Sequence, residues 1–124
     1  MMPAKVLIVD DEPNVVVSLL FLMKKAGYET SVARDGDEAL FEVTQFRPDL
    51  ILLDVMMPRR DGYDVCRRLR SSGWKDMKIV MLTAKARETE ITKGYALGAD
   101  AYMTKPFSTS DLVAMVDQLL AGVE

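Results

Sequence analysis

The sequence predicts an α/β fold in which helices cover both faces of a five-stranded parallel sheet. Short apolar runs alternate with amphipathic stretches five times along the 124 residues. Three of these runs are apolar at every position, which is typical of parallel strands buried on both faces. Regular alternation of strand and helix favours a parallel sheet, because each parallel pair needs a crossover connection. The length fits a single domain spanning residues 1–124.

Five strand-like runs are expected to form the sheet. The continuously apolar runs are residues 6–9, 50–53 and 79–82. The runs at 30–33 and 101–103 are weaker, and the last is predicted mainly from its position after a helical pattern.

The first two helices are predicted from apolar residues at helical spacing. Residues 14–26 place Leu19 and Met23 on one face, and Gly27 is a natural stop. Residues 37–46 form a second such pattern, which ends before a proline.

Three further helices follow along the chain. The segment 62–71 is short and polar, and 88–97 is followed by Gly98. The segment 109–121 has the clearest helical spacing, and Ser108 is expected to cap its amino terminus.

Composition excludes several classes of function. The chain has no histidine, which removes imidazole catalysis and most zinc chemistry, and Cys66 alone cannot form an internal disulfide. The formal charge of −3 gives no sign of direct binding to nucleic acid or membrane. No apolar run approaches the roughly 20 residues of a membrane span. No signal peptide is predicted after Met1. Because Cys66 is the only cysteine, a cytoplasmic, reducing location is expected.

Polar residues follow the predicted strands. Asp10 and Asp11 come after the first, Asp54 after the third, Thr83 after the fourth, and Lys105 shortly after the fifth. The carboxyl ends of parallel strands lie at one edge of a sheet, where ligands collect. These five side chains are therefore expected to converge.

This combination of side chains suits a phosphate site. Three carboxylates repel one another and need a cation, and oxygen ligands suit Mg²⁺. A backbone carbonyl after Asp54 could complete the metal shell, while Lys105 and Thr83 supply a charge and a hydroxyl around a carboxylate nucleophile. Each feature alone is more often a turn or a helix cap, but their joint placement favours a site.

The sequence closely resembles the receiver domains of bacterial two-component response regulators along its whole length. The motifs that carry the resemblance are Val9-Asp10-Asp11-Glu12, Leu53-Asp54-Val55-Met56-Met57-Pro58, Asp61-Gly62, Leu82-Thr83-Ala84, Gly98-Ala99-Asp100-Ala101-Tyr102 and Lys105-Pro106-Phe107. The resemblance implies a flavodoxin-like (βα)5 fold with strand order 2-1-3-4-5.

The resemblance also implies roles for individual residues. Asp54 would be the phosphoacceptor. Asp11, Asp54 and the backbone carbonyl of Met56 would bind Mg²⁺ directly, and Asp10 would act mainly through water. The phosphoryl donor would be a sensor histidine kinase or a histidine phosphotransfer protein.

Signalling is expected to follow from movements around the phosphoryl group. Thr83 and Lys105 would each bind a phosphoryl oxygen, and Tyr102 would rotate inward as Thr83 moves. The face formed by the fourth helix, fifth strand and fifth helix would then change and bind an output domain or target protein. The Lys105–Pro106 bond would be cis. Such a domain promotes its own phosphorylation and dephosphorylation but turns over no external substrate.

The resemblance also implies that two positions govern the lifetime of the phosphorylated state. Met56 and Lys85 occupy positions that tune attack by water, and apolar Met56 offers no group to align a water molecule. A long-lived phosphorylated state is therefore expected. The resemblance leaves open whether the chain is a single-domain regulator or a receiver from a longer one.

Three other functions fit the sequence less well. An aspartyl phosphatase would need a second Asp two residues after the nucleophile, where this chain has Met56. A flavin binder would need a Ser/Thr/Gly-rich phosphate loop after the first strand, where Asp10, Asp11 and Glu12 would repel phosphate. An interaction module that works without phosphorylation is disfavoured by the intact acidic set, although constitutive binding stays open.

Overall fold

The computed structural model describes residues 3–84 and 87–121, which form five strands and five helices in alternation. Their bounds are β1 Lys5–Val9, α1 Pro13–Lys25, β2 Glu29–Ala33, α2 Gly36–Phe46, β3 Leu50–Asp54, α3 Gly62–Ser71, β4 Lys78–Thr83, α4 Glu88–Ala96, β5 Ala101–Thr104 and α5 Thr109–Leu120. Every predicted element is present, with ends that differ from the prediction by one residue at most.

The strands form one parallel sheet in the order β2-β1-β3-β4-β5. The predicted fold class and strand order are therefore confirmed. The order reverses direction at β1, so that β1 and β3 are neighbours in the sheet although β2 separates them in sequence. This is the position at which an open α/β sheet forms a crevice at its carboxyl edge.

Alternating side chains of the central strands feed two separate cores. On β3, Leu50 and Leu52 pack with α1 and α5 on one face, whereas Ile51 and Leu53 pack with α2 and α3 on the other. All four side chains are fully buried. Burial on both faces explains why this run is apolar at every position.

Local signals define where several helices begin and end. The side chain of Ser108 accepts a hydrogen bond from the backbone amide of Asp111, so the predicted cap of α5 is confirmed. Gly27 and Gly98 follow α1 and α4 with φ values of 94° and 112°, a conformation that favours glycine.

Three strands, β3, β4 and β5, run one residue further at their carboxyl ends than the apolar pattern indicates. Asp54 is the last residue of β3 and lies opposite Leu82, and Thr83 is the last residue of β4 and lies opposite Thr104. Backbone pairing continues here although the side chains become polar. Both residues are thus held by the sheet rather than by a loop.

No helix among the described ranges is long and apolar enough to cross a membrane.

Candidate functional site

Three carboxylates meet at the carboxyl edge of β1 and β3. Asp10, Asp11 and Asp54 each place one oxygen so that the three lie within 4.8 Å of one another. Asp10 has no exposed surface and Asp54 is only 4% exposed, whereas Asp11 faces solvent. The adjacency of β1 and β3 in the sheet explains this convergence, because both strands end at the same height.

Lys105 provides a positive charge for this cluster. Its Nζ lies 2.9 Å from Oδ2 of Asp10, 3.4 Å from Oδ1 of Asp54 and 3.4 Å from Oε1 of Glu12. The backbone amide of Lys105 donates to the carbonyl of Thr83 at 2.6 Å, which fixes the loop after β5 to the end of β4. The Lys105–Pro106 peptide bond is cis, as the resemblance implied.

Burial controls the electrostatics of Asp54. Desolvation and then the negative charge of Asp10 raise the pKa of Asp54 from 3.8 to about 6, while Lys105 and the Met56 amide oppose the shift. Burial lowers the pKa of Lys105, but its hydrogen bond to Asp10 and the nearby carboxylate charges leave that pKa above its ordinary value. At neutral pH, Asp54 is therefore mostly ionised and Lys105 is charged.

The remaining predicted residues lie around the cluster. Thr83 is fully buried at the end of β4, the strand next to β3. The Met56 amide donates to Oδ1 of Asp54 at 3.4 Å, and the Met56 side chain is 60% exposed. Lys85 lies outside the described residues. Glu12 follows Asp11 in the motif after β1. No role was predicted for it, but its carboxylate contacts Lys105.

Tyr102 lies on β5 and packs against α4. Its ring would come within 3.2 Å of a Cβ atom added at Gly94, so glycine leaves the space that the ring occupies. The Tyr102 hydroxyl is 3.1 Å from that of Tyr63, which in turn donates to the backbone carbonyl of Glu90 at 3.2 Å. Tyr63 was not predicted as part of the site, because nothing in its helical spacing indicates a polar partner on another element.

A hollow of about 560 Å³ adjoins Lys105, between the start of α1 and the loop after β5. Val15, Pro106 and Phe107 give it a largely apolar lining, and Glu12 lies at its border. The hollow therefore borders the charged cluster, because Lys105 and Glu12 both line it.

The donor set fits a divalent cation. Three carboxylates face one ammonium within this cluster, which leaves an excess of two negative charges. All of these ligand atoms are oxygens, the type that Mg²⁺ and Ca²⁺ prefer. The cluster is a potential metal site.

Comparison with known proteins identifies the family. The model of the response regulator receiver domain matches residues 6–117. The chain belongs to this family. It is therefore a receiver domain of the two-component type, a class of phosphoacceptor signalling domain, and its acidic cluster is typical of such domains.

Several solved structures of similar receiver domains share the fold. A response regulator candidate from Chloroflexus aurantiacus J-10-fl is 38% identical, with a TM-score of 0.90 and coverage of 96% of this chain and 98% of that chain. The chemotaxis response regulator CheY4 of Vibrio cholerae is 34% identical (TM-score 0.89, coverage 96% and 100%). The BeF3-activated N-terminal receiver domain of Klebsiella pneumoniae RstA is 30% identical (TM-score 0.87, coverage 94% and 97%).

Proposed function

We propose that Asp54 of this receiver domain accepts a phosphoryl group in a reaction that depends on Mg²⁺. The observation that carries the proposal is the placement of the Asp54 carboxylate. It is almost fully buried, shares a cluster of oxygens with Asp10 and Asp11, and lies 3.4 Å from Lys105. A nucleophile, a cation site and a positive charge are thus present in one crevice.

The chemistry required of the chain is modest. An oxygen of ionised Asp54 attacks the phosphorus atom, the bond from phosphorus to the donor imidazole nitrogen breaks, and the imidazole leaves with the bonding electron pair. Mg²⁺, held by Asp11, Asp54 and the Met56 carbonyl with Asp10 behind a water molecule, would neutralise charge on the phosphoryl oxygens. The role of the protein is to position the nucleophile and supply fixed charge.

Lys105 and Thr83 provide the response to phosphorylation. The new phosphoryl oxygens would bind the Lys105 ammonium and the Thr83 hydroxyl, which lie at the ends of neighbouring strands. Movement of Thr83 would alter the packing of Tyr102, and through it the face formed by α4, β5 and α5. This change is a shift between two populations of one fold.

The domain is proposed to act as a switch and not as an enzyme on external substrates. It would promote its own phosphorylation and dephosphorylation only. Turnover of an outside phosphoester would need a proton donor two residues after Asp54, and Met56 cannot act as one.

The phosphoryl donor is proposed to be a sensor histidine kinase or a histidine phosphotransfer protein that docks on α1. Val17 and Phe21 lie one turn apart on α1 and are 66% and 64% exposed. The hollow beside Lys105 is lined in part by Asn14, Val15 and Ser18 of the same helix. An exposed apolar patch on this helix suits a protein donor.

Acetyl phosphate and intact-mass measurement test the proposal. The wild type should gain one phosphoryl group with Mg²⁺ and none in EDTA. Asp54→Ala should gain none under either condition, whereas Asp76→Ala, a change at an exposed loop residue, should behave as wild type. Beryllofluoride, which activates the RstA receiver, gives a second readout through amide chemical shifts. Absence of both phosphorylation and beryllofluoride binding would refute the proposal.

A further inference from the structure

The loop between β3 and α3, residues 55–61, carries the Met56 carbonyl that is proposed to bind the metal. Two backbone hydrogen bonds close it, from Gly62 to Val55 at 2.9 Å and from Arg60 to Pro58 at 2.8 Å. Burial of Val55 fixes the first residue of the loop, whereas the Met56 side chain is mostly exposed. The path of the chain beyond Met56 therefore depends on contacts further along the loop.

Arg60 provides such contacts by joining the loop to two helices. Its Nε lies 2.9 Å from Oδ1 of Asp37 in the first turn of α2, and its Nη1 lies 2.5 Å from Oδ2 of Asp64 in the first turn of α3. A planar guanidinium presents five N–H donors in a fixed geometry, so it can bind two carboxylates at once. The side chains of Arg60 and Asp64 are 27% and 26% exposed, so solvent only partly screens that pair, whereas Asp37 is 55% exposed and its pair is screened more.

The backbone of the loop also rests directly on α2. Gly36, the first residue of α2, is buried, and a Cβ atom there would overlap the carbonyl oxygen of Arg60. Arg59 adds an ion pair to Asp35 at 3.4 Å and has a φ of 70°, a conformation that is uncommon for arginine. The chain path at Arg59 and Arg60 is therefore determined by α2.

We propose that Arg60 is a positioning residue for the metal site. Its bridge between Asp37 and Asp64 holds the loop so that the Met56 carbonyl stays in place for the cation. The inference rests on the proposed function, in that it assigns the Met56 carbonyl to the metal shell. Removal of a group that orients a metal ligand commonly weakens metal affinity by tenfold or more.

The affinity of the unphosphorylated protein for Mg²⁺, measured by isothermal titration calorimetry, tests the inference. This measurement does not depend on phosphorylation of Asp54. Arg60→Ala should raise the dissociation constant for Mg²⁺ about tenfold. Arg68→Ala is the matched control, because Arg68 also pairs with Asp64, at 3.0 Å, but lies on α3 away from the loop. Its dissociation constant should stay within about twofold of wild type.

A second variant separates positioning from general stability. Asp37→Asn leaves Arg60 and Asp64 intact and weakens only the link to α2, so it should raise the dissociation constant by about threefold. With acetyl phosphate, Arg60→Ala should need more Mg²⁺ for half-maximal phosphorylation yet reach the wild-type maximum at saturating Mg²⁺. A purely structural role would lower the maximum or the melting temperature and leave the magnesium requirement unchanged.

The possible failures are distinguishable. If the wild type binds Mg²⁺ and is phosphorylated, but Arg60→Ala binds Mg²⁺ with unchanged affinity, the role of Arg60 is wrong and the proposed function stands. An equal loss in Arg60→Ala and Arg68→Ala would also overturn the positioning role, since it would trace the effect to Asp64 alone. If the wild type itself neither binds Mg²⁺ nor gains a phosphoryl group, both ideas fail.

Discussion

The ammonium of Lys105 lies 2.9 Å from Oδ2 of Asp10, a carboxylate with no exposed surface. The Lys105 ammonium, which is proposed to bind the phosphoryl group, therefore already has a buried ion-pair partner before phosphorylation. Because Lys105 is also only 3.4 Å from Asp54, a small movement would bring it to a phosphoryl oxygen on that residue.

Lys105→Met should destabilise the protein when Mg²⁺ is absent. Removing the cation leaves Asp10 and Asp54 as buried carboxylates without a compensating charge, which should lower the free energy of unfolding by about 3 kcal/mol. Magnesium should recover part of the loss by supplying positive charge. Urea unfolding in EDTA and in Mg²⁺ measures both effects. Lys24→Met, at an exposed position of α1, is the control and should change little.

Asp54→Asn should stabilise the protein at neutral pH in the absence of divalent cations. Burial raises the pKa of Asp54 from 3.8 to about 6, so the folded state holds a proton that the unfolded state loses between these two values. Stability therefore falls as the pH rises from about 4 to 6, and the deficit persists at pH 7. By linkage it amounts to about 3 kcal/mol at most.

The measurement is urea unfolding of both proteins in EDTA between pH 4 and 7.5. The difference in the free energy of unfolding, Asp54→Asn minus wild type, should grow through pH 4–6 and then level off. Titrating groups that do not interact with Asp54 cancel in that difference. A difference that stays constant with pH would contradict a raised pKa at Asp54. In Mg²⁺ the advantage of Asp54→Asn should shrink, because the variant lacks a charged ligand.

The sequence was sufficient to predict all ten elements, for a physical reason. Strands buried on both faces are continuously apolar, as at residues 50–53, and the helices keep one apolar face. The meeting of Asp10, Asp54 and Lys105 followed from topology, since parallel strands end at one edge. The order of the strands came from the family resemblance, because periodicity does not say which strands are neighbours.

Contacts between side chains on different elements could not be predicted in the same way. Tyr63 and Arg60 make contacts in which a hydroxyl and a guanidinium reach partners that are distant in sequence. No local pattern records such a pair in a single sequence. The strand ends at Asp54 and Thr83 were placed one residue short because polarity changes there before backbone pairing ends.

Met56→Asn should shorten the lifetime of the phosphorylated domain. Met56 is 60% exposed beside Asp54 and offers no hydrogen-bonding group at the end of its side chain, whereas an amide could orient a water molecule toward phosphorus. We expect at least a severalfold faster loss of phosphate, followed by intact mass after removal of acetyl phosphate. Met56→Leu should resemble wild type. An unchanged rate in Met56→Asn would show that this side chain does not limit hydrolysis.

Arg70→Ala should destabilise the end of the domain opposite the site. The Arg70 guanidinium donates to the backbone carbonyls of Gly98 at 2.9 Å and Met77 at 2.7 Å, and to the Asp100 carboxylate at 2.8 Å. Its loss leaves the Gly98 and Met77 carbonyls without this donor, while Asp100 keeps a hydrogen bond from the Ile79 amide. The free energy of unfolding should therefore fall by about 2–4 kcal/mol. Arg67→Ala, an exposed change on the same helix, should cost less than about 1 kcal/mol.

Tyr63→Phe should loosen the contact between Tyr102 and α4. The Tyr63 hydroxyl donates a hydrogen bond to the Glu90 carbonyl, so it accepts the hydrogen bond from the Tyr102 hydroxyl. The Tyr63 oxygen thus connects α3, α4 and β5. Removing that oxygen should lower the free energy of unfolding by about 1 kcal/mol. The larger effect should be on the amide resonances of α4 and β5, recorded with and without beryllofluoride.

Tyr95→Phe is the matched control for this change, because Tyr95 lies on α4 with its side chain about half exposed. It should leave both the stability and the amide resonances of β5 close to those of wild type. If Tyr63→Phe left the resonances of Tyr102 and α4 unchanged, the hydroxyl pair would be a passive contact. If those resonances moved part of the way toward their beryllofluoride positions, Tyr63 would restrain the unphosphorylated arrangement, because its loss alone would shift the population.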